Sequence, residues 1–334
     1  ASASGSILVE GAGTGTAAGI VLAATTGNTA AISSAGGNVT LRADRMNLNT
    51  TAGTESIATS GTGQVILLPS TAGTAVNAGS TVDTTADTLE LSNSELDNLS
   101  APAVTLGDAL SGPVTVSAVI SPLNFQTLHF ANSVSFTASG GFNAGVTSAG
   151  VYERMSVAGT VSIASGASLT TSSAGGYVWN GTDRFTFIDN DGADAISGTF
   201  DGPSLTNWLG STLTATRTYN GGTGNDLTIG SSLTPVESWR FTHFGNPANS
   251  GSGANSFDAD GDGLDNLTEF AFGLIPTDSG SLLLPAAQLT GGNYTVSFTQ
   301  PSGGSGITYG MEWSATLAPG SWTAIPDTGA GDVH

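Results

Sequence analysis

An all-β fold is predicted by three observations. Along residues 1–235, short segments carry a branched apolar residue at every second place, the period that turns one face of a strand inward. Clusters of Gly, Ser, Thr and Asn separate them, and the chain of 334 residues holds 48 Gly. Residues 1–120 contain no Phe, Tyr or Trp, so each inward face is thin and needs neighbours to bury it.

Composition narrows the class. Charged residues make up 10% of the chain and aromatics 7%, with a mean hydropathy of +0.11. Hydrophobic content of 38% argues against wholesale disorder. Glycine keeps no three-residue period, which excludes collagen. Six basic residues, all Arg, stand against 26 acidic ones for a net charge of −20. So few cations in an acidic field cannot neutralise a run of phosphates, and no nucleic-acid partner is expected. Without Cys there is no disulfide, thiolate or Cys-ligated metal chemistry. No run of 18 apolar residues occurs, so no transmembrane helix is expected. The start Ala1-Ser2-Ala3-Ser4 reads as a mature end left by signal-peptide removal or as the end of a fragment.

The strand segments follow in order: 6–10 (SILVE), 19–23 (GIVLA), 38–41 (NVTL), 46–49 (MNLN), 64–68 (QVILL), 88–91 (TLEL), 103–106 (AVTL), 113–119 (PVTVSAV), 133–138 (SVSFTA), 159–164 (GTVSIA) and 167–170 (ASLT). Four-residue strands cannot bury their own faces, but stacked ones can, and their rhythm falls in the repeat range of a parallel β-solenoid (β-helix). A β-sandwich is the alternative; its strands run longer and carry more core aromatics. Residues 89–99 (LELSNSELDNL) are read as a local loop in preference to a helical turn capped by Ser92 or Ser94. From about residue 122 Phe125, Phe130, Phe136 and Phe142 arrive together, then Tyr152, Tyr177, Trp179, Phe185, Phe187 and Phe200. This aromatic-rich part is read as an atypical cap on the stack. Residues 179–200 and 213–229 read as hairpins with Asp/Asn-Gly turns.

Residues 151–229, with FTFIDNDGADAISGTF (185–200) and YNGGTGNDLTI (219–229), resemble the C-terminal passenger repeats of autotransporter-like proteins. GGNVTLRADRMNLNT (36–50) is similar to filamentous-haemagglutinin-type rungs. The resemblance implies a secreted bacterial surface solenoid over two-thirds of the chain.

Residues 258–269 (DADGDGLDNLTE) carry the sharpest motif. Acidic side chains at loop positions 1, 3 and 5, Gly at 6, Asn at 9 and Glu at 12 match the pattern of a calcium loop. Asp258, Asp260 and Asp262 would offer carboxylates, Leu264 its carbonyl, Asn266 a direct or water-bridged oxygen, and Glu269 both carboxylate oxygens. Gly263 permits the sharp turn. Without a cation these like charges repel, so Ca²⁺ is expected as a structural ion. A short helix is expected on each side, at 236–244 and 269–274, with Trp239, Phe244, Phe270 and either Phe272 or Leu274 clamping the loop. The motif resembles EF-hand-like, dockerin-like and thrombospondin type-3-like loops of secreted proteins. It stands single, which argues against a sensor that swings a helix open. Asp189-Asn190-Asp191-Gly192 with Asp194, and Asn225-Asp226, read as solvated turns rather than cation sites.

The remaining chain reads as strands at 282–284, 293–299, 307–313 and 321–325, with Tyr294, Phe298, Tyr309, Trp313 and Trp322 as core or contact surface. This domain looks a strand short. Either the natural chain continues, or a neighbouring molecule adds a strand. The expected organisation is therefore a solenoid over 1–235, a helix–calcium loop–helix linker over 236–275, and a small, sandwich-like antiparallel β domain over 276–334.

No enzyme is expected. His129, His243 and His334 stand apart, no Gly-x-Ser-x-Gly elbow occurs, and Arg42 and Arg45 with Asp44 fit a surface or ladder role better than an active site. The expected function is a structural subunit of an extracellular bacterial filament or surface layer, self-associating into a polymer, or a surface adhesin for a glycan or cell-surface ligand. The alternative is a secreted carbohydrate-binding or carbohydrate-cleaving β-helix protein.

Overall fold

The structure, a computed structural model, describes residues 5–325 apart from 14–16, 50–52, 192–193, 203, 232, 282–283, 292, 299 and 302–305. The chain divides into two compact units, one of residues 1–179 and 183–231, the other of 180–182 and 232–334.

In the first unit the alternating segments form strands whose inward residues stack in register. Ile7–Glu10, Val39–Arg42, Gln64–Leu68, Ala103–Leu106, Thr127–Phe130, Arg154–Val157 and Phe185–Asn190 are successive parallel neighbours. Val39 pairs with Val65, Val65 with Val104, and Val104 with Leu128; beside them run Leu41, Leu67, Leu106 and Phe130. All eight are completely buried, because side chains two apart on a strand share a face. A six-stranded parallel sheet runs Ser197–Gly198, Val161–Ile163, Val134–Phe136, Val114–Val116, Ala75–Ala78 and Thr88–Leu91.

The expectation of an all-β solenoid is corrected. The chain is mixed α and β: three α-helices accompany strands divided among seven sheets of the described residues. The spacing is uneven too. Between the register partners Val65 and Val104 the chain inserts Ala75–Ala78, Thr88–Leu91, a helix and Leu99–Ser100; between Val104 and Leu128 it inserts only Val114–Val116 and Val119–Ile120. Pairing then turns antiparallel, with Phe185–Asn190 against Asp226–Ser231, which pairs Ala215–Gly221. Period-2 alternation sets which face of a strand is buried. It says nothing of partner or direction.

Helix α1 (Asn93–Leu96) lies in the segment read as a loop. Ser92 Oγ accepts from Glu95 N at 3.3 Å, and Glu95 Oε2 accepts from Ser92 N at 2.8 Å. This capping box selects Ser92 over Ser94, because only Ser92 has Glu three places on. Glu95 Oε1 also accepts from Leu48 N at 3.0 Å, tying the turn to the strand region beside it.

The aromatics gather where the ladder turns antiparallel. Phe185 meets Tyr152 at 5.1 Å and Trp208 at 5.4 Å, and Trp208 meets Trp179 at 5.1 Å, all edge to face. Buried Arg217 donates from Nη1 to the carbonyls of Asp201 and Gly202 and from Nη2 to that of Leu169 at 2.5 Å.

The second unit begins with α2 (Pro235–Phe244), where Pro235 opens the helix and Thr234 and Glu237 form a second capping box. Helix α3 spans Asn266–Phe272, starting three residues before the stretch expected from sequence. Beyond it are two antiparallel hairpins, Gln288–Thr290 with Asn293–Thr295 and Met311–Trp313 with Thr323–Ile325. The strand expected at 282–284 falls largely outside the described residues, as do Ala1 to Ser4, Gly192 and His334. No helix among the described residues is long and apolar enough to cross a membrane.

Candidate metal centre

The loop between α2 and α3 is built by its own carboxylates. Asp258 Oδ1 accepts from Gly261 N at 2.8 Å and Oδ2 from Gly263 N at 2.9 Å. Asp260 Oδ1 accepts from Asp262 N at 3.2 Å, and Asp262 Oδ1 from Leu264 N at 2.8 Å. Gly263 sits at φ 95°, in the left-handed region, and an added Cβ there would meet nothing within 4 Å. Backbone conformation, not space, therefore demands glycine. Asp265 caps α3 by accepting from Thr268 N at 2.9 Å, and the helix ends at Gly273 with φ 68°.

These turns bring Asp258, Asp260 and Asp262 together. One carboxylate oxygen from each lies within 4.8 Å of the others, a cluster able to hold a metal ion. Each of Asp260 and Asp262 spends one oxygen on the loop backbone. Their second oxygens, both named Oδ2, are buried with no hydrogen-bond partner.

Glu269 stands in the first turn of α3, fully buried, and neither of its carboxylate oxygens has a partner. Its pKa is pushed up to about 7, first by burial and then by the negative charges of Asp260, Asp262, Asp258 and Asp265. A buried, unpaired carboxylate among like charges is costly. A cation at this place reverses that, because it becomes the largest local charge.

Asn266 is also buried. Its Nδ2 donates to the carbonyls of Ser252 at 2.8 Å and Ala254 at 2.7 Å, which fixes the amide orientation and leaves Oδ1 buried and unpartnered. Its backbone N donates to Phe257 O at 2.9 Å. Leu264 is held in the loop through its N–H to Asp262.

Two features of this surround escaped the sequence. The 3-10 turn Gly251–Gly253 and the residues around it present carbonyls to Asn266. Buried Arg240 of α2 donates to Pro247 O at 3.4 Å and to Asn255 Oδ1, while Asn255 O accepts from Leu267 N at 3.0 Å. A helix–loop–helix pattern signals ligands at fixed offsets; it carries no signal for these polar bonds. The aromatic clamp forms through Trp239 with Phe244 at 6.0 Å and Phe270 at 5.7 Å. Phe272 instead joins Phe298 and Tyr309.

The two weaker acidic turns are bonded to each other. Asp226 accepts from Asn190 N at 3.0 Å and Thr223 N at 2.9 Å, and Asn190 Nδ2 donates to Asp194 O at 2.7 Å. Asp44 accepts from the backbone N–H groups of Ser70 and Thr71, both at 2.8 Å. Arg42 lies 3.7 Å from Glu10, and Arg45 donates to Asp83 O and Thr85 O. Burial holds His129 and His243 below the usual imidazole range, and they stand in separate units.

Compared with protein-family models, curated proteins and solved structures, the chain matches none of them. The resemblance to autotransporter and filamentous-haemagglutinin rungs, and to the EF-hand, dockerin and thrombospondin loop families, is therefore corrected. It rested on Gly/Ser/Thr-rich alternation and a short acidic spacing, which unrelated chains share. The filament, surface-layer, adhesin and carbohydrate readings depended on that resemblance and on a uniform solenoid, and they fall with it. Among the described residues nothing argues for self-association or for a glycan or cell-surface ligand.

Proposed function

We propose that the loop of residues 258–269 binds one Ca²⁺ as a structural ion, with Asp258, Asp260, Asp262, the Leu264 carbonyl, Asn266 and Glu269 as its ligands. The observation that carries this reading is Glu269: a completely buried carboxylate, both oxygens unpaired, charged against the Asp cluster. The donor set is all oxygen, which suits a hard cation and not Zn²⁺ or Cu²⁺. A two-oxygen glutamate and side chains already committed to the loop backbone favour the larger, more tolerant shell of Ca²⁺ over the strict octahedron of Mg²⁺. The ion's role is to hold α2, the loop and α3 together, and no catalytic role is proposed for it. We place the protein outside the cell, where calcium is abundant enough for sites of about 10⁻⁴–10⁻³ M affinity.

Titration calorimetry on the full chain tests the reading. One Ca²⁺ should bind per chain with a Kd of about 1 mM or tighter, Mg²⁺ should bind more weakly, and Glu269→Gln should weaken Ca²⁺ at least about tenfold, as loss of a charged bidentate ligand predicts. Absence of binding at millimolar Ca²⁺, or unchanged binding by the Gln variant, overturns it.

A further inference from the structure

Helix α3 has only seven residues, and three of its faces are committed. Glu269 lies against the acidic loop, and Asn266 is bonded to the carbonyls of Ser252 and Ala254. Phe270 packs on Trp239 of α2. The third face carries the chain that follows: Phe272 meets Phe298 at 5.4 Å and Tyr309 at 5.9 Å, and those two rings meet at 5.0 Å. The Tyr309 hydroxyl donates to the Ala271 carbonyl. Pro301 lies against the end of the helix, with its Cγ 3.0 Å from where a Cβ on Gly273 would stand. The carbonyl of Glu269 itself accepts the closing bonds of α3, from Gly273 N and from Leu274 N at 2.8 Å.

One residue thus joins the acidic loop to the helix end on which the downstream segment rests. A two-turn helix is marginal by itself. With Glu269 buried and uncompensated it is weaker still.

We propose that Ca²⁺ binding at the loop controls the docking of Phe298 and Tyr309 on α3, so that the ion orders the segment following Tyr309 as well as its own loop. This rests on the calcium reading above. The linkage runs through Glu269, α3 and the cluster Phe272, Phe298 and Tyr309, and linkage is reciprocal: whatever factor calcium adds to docking, docking adds to calcium affinity.

Hydrogen exchange on the full chain, with saturating Ca²⁺ and with chelator, reads the first half. Amides of α3 and of residues 307–313 should exchange at least about fivefold faster on chelation, the lower end of ordinary coupling factors, while those of Gln64–Leu68 do not change. Phe298→Ala, which leaves the helix and loop sequence intact, reads the second half. Calorimetry should show its Ca²⁺ affinity reduced by a similar factor. If calcium binds but either the 307–313 amides or the Phe298→Ala affinity stays unchanged, the coupling is wrong and the metal reading stands. An equal effect on Gln64–Leu68 means global unfolding and also overturns the coupling. If no calcium binds, both fall.

Discussion

Trp239 of α2 and Phe270 of α3 meet edge to face, their ring centroids 5.7 Å apart and their planes at 65°. Phe270 is buried and directly follows Glu269, so the apolar contact between the helices and the buried carboxylate are adjacent in sequence. Replacing Phe270 with Ala should destabilise the protein by about 3–5 kcal/mol, the usual cost of removing a buried phenyl ring. Urea unfolding at fixed Ca²⁺ measures this, and a loss under about 1 kcal/mol would show that the contact does not hold the helices together.

The pKa of Glu269 gives a pH dependence of unusual sign. In the unfolded chain a glutamate titrates near about 4.3, whereas in the ion-free fold this one is raised to about 7. Between those values the folded state keeps a proton that the unfolded state has lost, so folding stability falls as pH rises through that window. Below it both states are protonated and the penalty vanishes; above it the penalty is complete. Chelated protein should therefore melt at a higher temperature near pH 5 than near pH 7.5, and Glu269→Gln should flatten that slope. Saturating Ca²⁺ should reverse it, because the ion favours the ionised carboxylate. A melting profile in chelator that rises from pH 5 to 7.5 would refute the assignment.

Much of this was readable one strand or one turn at a time. Gln64–Leu68, Thr88–Leu91 and Ala103–Leu106 lie where alternation placed them, and the spacing of Asp258, Asp260 and Asp262 announced their convergence. What sequence could not supply was relational. Val65 and Val104 are register partners although a helix and three strands lie between them, and no local period encodes that pairing. Likewise, that Asn266 would spend its amide on Ser252 and Ala254 depends on where the chain returns. Sequence assigns Phe270 to the clamp and leaves Phe272 as an alternative to Leu274; only the fold shows Phe270 against Trp239 and Phe272 against Phe298.

The stacked ladder predicts a sharp contrast between two leucines. Leu106 is completely buried, in register with Leu67 on one side and Phe130 on the other. Leu8 is 58% exposed. Leu106→Ala should cost about 2–5 kcal/mol, since the rigid stack cannot close the cavity, while Leu8→Ala should stay within about 0.5 kcal/mol. Chemical denaturation of the two variants side by side decides it, and similar losses would mean that the ladder is not the core.

The charge of buried Arg217 is hydrogen-bonded to carbonyls instead of a carboxylate. Its guanidinium reaches Asp201 O, Gly202 O and Leu169 O together, joining a loop to a strand beside it. Burial pulls its pKa down from the usual arginine range, yet the group stays cationic at neutral pH because arginine starts so high. A lysine carries the same charge but has no planar fork, and it cannot reach three separate carbonyls with the same geometry. Arg217→Lys should therefore lose about 1–3 kcal/mol, the range for a charged hydrogen bond left unmade. Arg217→Met, which removes the charge but leaves three carbonyls without their donor, should lose at least as much. Urea titration of both variants is the check. Full stability in the lysine variant would show that charge alone, and not the fork, holds the loop.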